Sequence, residues 1–220
     1  MRLLFSDRSS IQPQTARPSD SWDHVYKAEL ANFEDNGDEG EVWYVPKSIT
    51  SNRTNLVCSF RFGEDSVEKM VEWAQDNIPP SVRPTILEVG SGNGTLLFAL
   101  QEAGYDVQRI CGLDYSLDAV KLARSIGTNR GDGAENITFA ECDFLSEEFV
   151  PPDQILAGMS GQSTGWDLIL DKGTYDAIAL GDKDEEGQSP AAGYPDRLLS
   201  LMRPGGLFLI TCEFLACYII

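Results

Sequence analysis

The chain has 220 residues, of which 42% are hydrophobic and 24% charged, and its formal net charge is −18. This length suits one domain with a sizeable core, and no apolar run approaches the roughly 18 residues that a membrane-spanning helix requires. The negative charge argues against nucleic-acid binding, which depends on cationic groups that displace phosphate counterions, and favours a basic protein partner. The five cysteines lack a Cys-x-x-Cys pair, so they suit a reducing compartment and predict no zinc site.

The N-terminal region is predicted to be a tail followed by a helix. We interpret residues 1–19 as disordered and expect one domain over residues 20–220. His24 lies in the predicted helix with Trp22 and Tyr26, where a surface or packing role is favoured over catalysis.

The most informative segment follows a short apolar run at residues 86–89, which predicts a buried strand. Glycines suit the turn after it, because the backbone there adopts positive φ or passes close to a ligand. The spacing is Gly-x-Gly-x-Gly behind Glu88, unlike the Gly-x-Gly-x-x-Gly of dinucleotide-binding turns. It resembles motif I of the class I S-adenosylmethionine-dependent methyltransferases, and a purely structural turn is the alternative. The turn comprises Gly90, Ser91, Gly92, Asn93 and Gly94.

A second apolar run ends in Asp114, about 20 residues after the glycines, which is the spacing of the ribose-binding acid in βαβ units. A carboxylate accepts hydrogen bonds from both ribose hydroxyls at once. Asp114 and its neighbour Tyr115 are therefore candidate cofactor ligands. The alternative for Asp114 is capping of the helix that follows, although Ser116 is the better-placed cap.

Two later runs also end in acidic residues. The third ends at Asp143 and Phe144, and in methyltransferases of this class the equivalent residues lie beside the adenine. The alternative for Asp143 is a loop aspartate that accepts hydrogen bonds from its own backbone. The fourth run ends at Asp171 and Lys172, which we expect at the carboxyl edge of the sheet, where open α/β folds bind ligands.

Five segments carry a narrower resemblance: Ser21–Glu29, Gly40–Trp43, Leu87–Gly94, Gly112–Ser116 and Leu170–Asp176. Together they resemble the lysine methyltransferases of translation elongation factor 1-alpha, in particular the elongation factor methyltransferase 4 group, whose animal counterpart is methyltransferase-like 10. The likeness covers roughly residues 20–43 and 62–212.

This resemblance implies a Rossmann-like class I methyltransferase fold with a mostly parallel twisted sheet. It also implies methyl transfer from S-adenosylmethionine to a lysine ε-amine of that factor, in the cytoplasm and without a metal. We expect a monomer that binds neither nucleic acid nor membrane.

The expected chemistry needs little machinery, because an aligned amine and sulfonium methyl group react readily and a general base is optional. Asp171 is expected to touch the methionine part of the cofactor or the incoming amine. Trp43 is expected beside the cofactor, and Trp43 and Tyr175 are expected to shape the lysine channel. The alternative for Tyr175 is a half-buried aromatic on a helix face.

One segment departs from the family pattern. In relatives Gly-Glu-Val-Trp continues directly into Phe-Gly-Glu-Asp-Ser, whereas here the 18 residues 44–61 separate Trp43 from Phe62. This segment has neither helical nor strand periodicity. We interpret it as an insertion outside the family pattern, with a retained short intron as our hypothesis for its origin.

The C-terminal end is the second departure. Residues 205–212 predict the fifth strand, and in the class I fold two more strands follow, one of them antiparallel to the fifth. The chain stops at Ile220, so we expect a fold that is truncated after about residue 212 and lacks the last two strands. The fifth strand would then be an exposed edge.

Three other functions stay open. A methyltransferase for another protein or a small molecule is the first, because substrate choice depends on loops that motif I does not report. A non-catalytic S-adenosylmethionine-binding or scaffold protein is the second, which missing strands would favour. A nicotinamide dehydrogenase is the third and is disfavoured by the glycine spacing.

Overall fold

The computed structural model describes residues 18–40, 64–146, 148–153, 155, 165–183, 186–211 and 218–219. The helices are α1 (Pro18–Asn36), α2 (Glu64–Asn77), α3 (Thr95–Glu102), α4 (Leu117–Arg130), α5 (Thr174–Ala179) and α6 (Tyr194–Leu201). The strands are β1 (Ile86–Val89), β2 (Ile110–Asp114), β3 (Thr138–Glu141), β4 (Trp166–Lys172), β5 (Met202–Thr211) and β6 (Tyr218–Ile219). The alternation of strands and helices confirms the predicted α/β class.

The strands form one sheet in the order β3-β2-β1-β4-β5-β6, in which the first five are parallel and β6 is antiparallel. The chain runs outward from β1 to β3 and then returns to β4 on the other side of β1. The topological switch point therefore lies between β1 and β4, where open α/β sheets bind ligands beyond the carboxyl ends of the strands. The register places Val89 beside both Leu113 and Asp171 at this edge.

The sheet is buried on both faces, which explains the nearly continuous apolar runs of its parallel strands. On β1, Ile86 packs into the core shared with helices α1 to α4, whereas Leu87 and Val89 pack into the core shared with α5 and α6. Because side chains alternate along a strand, Glu88 lies on the face of Ile86. By the same alternation, Asp171 lies on the opposite face.

Helix α1 is longer than predicted at its N-terminus. It begins at Pro18, so residues 18 and 19, assigned above to the tail, are helical. Proline suits the first position of a helix because its fixed φ is helical and its missing N–H has no intrahelical partner there. The rest of the predicted tail, Trp43 and the predicted insertion over residues 44–61 lie outside the described residues.

Strand β5 has a neighbour on its outer side. Strand β6 pairs antiparallel with it, with Ile219 opposite Leu209 and Tyr218 opposite Ile210. The expectation of a bare edge along β5 is therefore wrong at these two positions. The two-residue ladder supplies the backbone partners that an edge strand lacks.

Gly112 on β2 lets Ser91 of the glycine turn pack closely on the sheet, and its replacement by alanine should destabilise the fold. A Cβ at Gly112 would lie 2.6 Å from Ser91 Oγ and 2.9 Å from Phe139 Cδ1. We expect Gly112→Ala to lower the free energy of unfolding by roughly 1–3 kcal/mol, measured by urea denaturation, because overpacking strains a dense core. Gly193→Ala is the control, since a Cβ there meets nothing within 4 Å. Equal midpoints for the two variants would contradict the prediction.

Candidate active site

The glycine turn joins β1 to α3 and has the predicted left-handed backbone. The φ angles are 66° at Gly90, 53° at Gly92 and 83° at Gly94. A Cβ at Gly90 would lie 1.9 Å from the hydroxyl oxygen of Thr174, which donates to the carbonyl of Val89 at 2.9 Å. Gly90 therefore lets the first residue of α5 pack on the end of β1, across the switch point.

Asp114 holds the turn against the end of β2. It is 5% exposed, and its carboxylate accepts hydrogen bonds from the backbone N–H of Gly92 and of Ser116, both at 2.9 Å. Ser116 occupies the N-cap position of α4, as expected, but its side chain makes no capping hydrogen bond. Asp114 thus lies at the turn and also orders the residue before α4, and its role as a ribose ligand stays a prediction. Its neighbour Tyr115 is half-buried.

Glu88 is an ionisable group buried without a partner. It is 0% exposed, and neither carboxylate oxygen has a hydrogen-bond partner among the described residues. Burial raises the pKa of Glu88 to about 8, Lys172 opposes that rise, and Asp171 and Asp114 add to it. A positively charged group placed beside Glu88 would therefore find a hydrogen-bond acceptor that the described residues leave unused.

Two hydroxyl oxygens just past the ends of β1 and β2 are also buried without partners in the described part of the chain. Ser91 Oγ and Ser116 Oγ also lack hydrogen-bond partners among the described residues. Buried polar groups are normally paired, so unpaired atoms at the switch point fit a ligand that supplies hydrogen-bond donors and positive charge. S-adenosylmethionine meets this description, because it carries ribose hydroxyls, an ammonium group and a sulfonium.

Asp171 lies at the same edge but on the other face of the sheet. It is 0% exposed and accepts hydrogen bonds from the backbone N–H of Thr174 at 2.7 Å and of Tyr175 at 2.9 Å. The hydroxyl of Tyr194, at the start of α6, donates to the same carboxylate. Burial raises the pKa of Asp171 to about 6 against the opposing effect of these hydrogen bonds. Asp171 therefore anchors the start of α5, and contact with an amine would require it to exchange these partners.

Tyr194 also centres an aromatic cluster beside Asp171. The ring centroids of Phe144 and Tyr175 lie 5.0 and 5.2 Å from that of Tyr194. Tyr175 is half-buried, as the helix-face alternative for it supposed, and Phe144 is buried in this cluster. Sequence reasoning missed Tyr194, whose one signal is an aromatic residue at the start of a helix about 20 residues past Asp171.

Asp143 makes the contacts expected of a loop aspartate, which was the alternative to a role beside the adenine. It is exposed, and its carboxylate accepts from the backbone N–H of Leu145 at 3.0 Å and from the hydroxyl of Ser146 at 2.6 Å. Because side-chain contacts of this kind do not exclude a ligand on an exposed carboxylate, its placement beside the adenine stays a prediction.

This chain is similar in sequence to a known protein family and to several of its relatives. Residues 81–214 match the family model described as a methyltransferase domain. The chain is 34% identical over 202 residues to the protein-lysine N-methyltransferase efm4 of Schizosaccharomyces pombe, covering 86% of this chain and 72% of that protein. It is 32% identical to EEF1A lysine methyltransferase 2 of Danio rerio, covering 90% of this chain and 70% of that protein.

The chain belongs to this family of protein-lysine methyltransferases. The predicted family, the Rossmann-like class I methyltransferase fold and the S-adenosylmethionine cofactor are thereby confirmed. Among solved structures, the glycopeptide N-methyltransferase MtfA with S-adenosyl-L-methionine has a TM-score of 0.49 and 18% identity, over 77% of this chain and 70% of that one.

Two further features concern the described residues as a set. None of their helices is both long and apolar enough to cross a bilayer. Nor do the described histidine, cysteine and acidic side chains form a group of three that could hold a metal ion.

Replacement of Glu88 by glutamine should stabilise the fold at high pH. The pKa is about 8 in the folded protein against 4.5 ordinarily, so the folded state binds the proton more tightly. The contribution of Glu88 to stability therefore falls as pH rises from about 4.5 to about 8. Relative to Glu88→Gln, the wild type should lose on the order of 3 kcal/mol between pH 5 and pH 8, measured by urea denaturation. Glu68→Gln, at an exposed position of α2, should follow the wild type. Parallel profiles of unfolding free energy against pH for the wild type and Glu88→Gln would refute the raised pKa of Glu88.

Replacement of Tyr194 by phenylalanine should reveal a charge-assisted hydrogen bond. We expect a loss of roughly 2–3 kcal/mol in the free energy of unfolding at pH 8, because the hydroxyl donates to a buried carboxylate. The loss should shrink below pH 6, where Asp171 becomes protonated. Tyr105→Phe is the control, since that buried hydroxyl donates to the neutral carbonyl of Ile78. It should cost about 1 kcal/mol at either pH. A pH-independent loss at Tyr194 would show that its partner is not the ionised carboxylate.

Proposed function

We propose that this chain transfers a methyl group from S-adenosylmethionine to a lysine ε-amine of translation elongation factor 1-alpha. The observation that carries the proposal is the glycine turn with Asp114 bound to it, in a chain similar over most of its length to EEF1A lysine methyltransferase 2. The factor is named as substrate in the second of these relatives, and this chain has acids and glycines at the switch point.

The cofactor would lie at the carboxyl edge between β1, β2 and β4. Glu88 and Asp114 supply hydrogen-bond acceptors there, and Lys172 lies close enough to Glu88 to favour its ionised form, as a cationic ligand would. We assign further contacts to Ser91, Asn93, Tyr115, Asp143, Phe144 and Trp43, together with the three glycines of the turn. Trp43 enters on the sequence pattern alone.

The reaction joins the lysine nitrogen to the methyl carbon. When bound, S-adenosylmethionine supplies a methyl group on a positively charged sulfur and leaves as S-adenosylhomocysteine. The chain's own contribution is alignment: Asp171 fixes the start of α5 and hence Tyr175, which we place along the approach of the amine. The amine sheds its proton to water, so no general base is assigned.

The substrate is a protein, and we propose that the enzyme meets it as a cytoplasmic monomer without nucleic acid or membrane. The net charge of −18 supports a basic protein partner, because opposite charges accelerate encounter. It also disfavours polyanions.

The proposal is tested with labelled S-adenosylmethionine, purified elongation factor 1-alpha and the variant Asp114→Asn. We expect label on a lysine of the factor with the wild type. Asp114→Asn should weaken S-adenosylmethionine binding about tenfold or more, measured by calorimetry, because an amide accepts fewer hydrogen bonds than a carboxylate and is uncharged. Asp196→Asn, at an exposed position of α6, should bind as the wild type does.

The outcomes separate the remaining functions. Label on other acceptors alone would indicate a methyltransferase with a different substrate. Binding of the cofactor without any transfer would indicate a binding or scaffold protein. Binding of NAD in place of S-adenosylmethionine would refute the proposed cofactor.

A further inference from the structure

Helix α1 lies over the glycine turn, outside the segment that matches the methyltransferase domain family. Tyr26, in the middle of this helix, is 8% exposed and belongs to the core that includes α3 and α4. A Cβ added at Gly92 would lie 2.5 Å from the hydroxyl oxygen of Tyr26. The Tyr26 hydroxyl therefore sits directly against the middle glycine of the turn.

The surroundings of this hydroxyl are acidic. Burial raises the pKa of Tyr26 well above its ordinary value, and Asp114, Glu29, Glu88 and Tyr115 add to the rise. The hydroxyl thus stays protonated and remains a hydrogen-bond donor. Three of these four neighbours are residues to which we assign cofactor contacts, so the donor faces the same space as they do.

The segment that follows α1 is hydrogen-bonded to the glycine turn and to α4. The side-chain amide of Asn93 donates to the backbone carbonyl of Glu39 at 3.0 Å. The guanidinium of Arg130, at the end of α4, donates to the carboxylate of Glu39 and lies 4.8 Å from the ring centroid of Phe98. Glu39 therefore links the segment after α1 to both the glycine turn and the last turn of α4.

We propose that Tyr26 is a cofactor-binding residue, and that docking of α1 on the glycine turn is coupled to S-adenosylmethionine binding. This inference rests on the proposed function, because it places the Tyr26 hydroxyl at the same cofactor. Ligand and helix share Gly92 and Asp114 as neighbours, so each stabilises the arrangement that the other binds.

The first test is removal of the hydroxyl with the ring retained. Tyr26→Phe should weaken binding of both S-adenosylmethionine and S-adenosylhomocysteine about tenfold by calorimetry, the effect of one lost hydrogen bond in a buried site. Tyr105→Phe is the matched control, since Tyr105 is also a buried tyrosine, 3% exposed, and its hydroxyl donates to Ile78 away from the turn. Affinity within twofold of the wild type for Tyr26→Phe would overturn the assignment of Tyr26.

The second test concerns the coupling. Amide hydrogen exchange over residues 18–36 should slow when S-adenosylhomocysteine saturates the protein. Arg130→Gln should speed exchange in this helix and weaken binding, because it removes the ion pair with Glu39. Arg83→Gln is its control, since it removes the ion pair with Asp106, which touches neither α1 nor the turn. An exchange rate in α1 that is the same with and without S-adenosylhomocysteine would overturn the coupling.

These results are distinguishable from failure of the proposed function. A wild type that binds neither S-adenosylmethionine nor S-adenosylhomocysteine would refute the proposed function and this inference with it. A wild type that binds both, with Tyr26→Phe unchanged, would refute this inference alone.

Discussion

The site depends on the parallel pairing of β1 between β2 and β4. That pairing brings Val89 level with Leu113 and Asp171, so the turn after β1 meets the ends of both neighbours. The sheet is also covered on both faces, and side chains at its carboxyl edge are therefore buried before any ligand arrives. Parallel strands need crossover helices, and these helices supply the residues that close over the edge.

Burial raises the pKa values of the acids at this edge and makes their ionised forms unfavourable. Glu88 and Asp171 are acids in surroundings that favour their neutral forms, and both pKa values are raised. The two carboxyl groups differ in whether hydrogen bonds offset the free-energy cost of burying them. Asp171 accepts hydrogen bonds from α5 and from Tyr194, whereas Glu88 has no partner among the described residues. A buried acid without a partner lowers the stability of the folded protein, and such groups are common at functional sites.

Much of this arrangement follows from local sequence pattern. The apolar runs, the glycine turn and the acids that end three of the strands predict the sheet edge, because each signal lies within a few residues of the element that it specifies. Tyr26 and Tyr194 were not predicted as site residues, because their roles arise from contacts with residues 66 and 23 positions away, Gly92 and Asp171. The anchoring role of Asp171 and the pairing of β6 with β5 depend on tertiary contacts in the same way.

The acids at this edge are divided between the two faces of the sheet. Glu88 and Asp114 lie with α1 to α4, and Asp171 lies with α5, α6 and the aromatic cluster around Tyr194. Changes among the aromatic residues therefore leave the carboxylates of the other face in place, since the sheet stands between them. Under the proposed function, Tyr175 can therefore change with the acceptor while Glu88 and Asp114 are kept, because mutations on one face need no compensating change on the other.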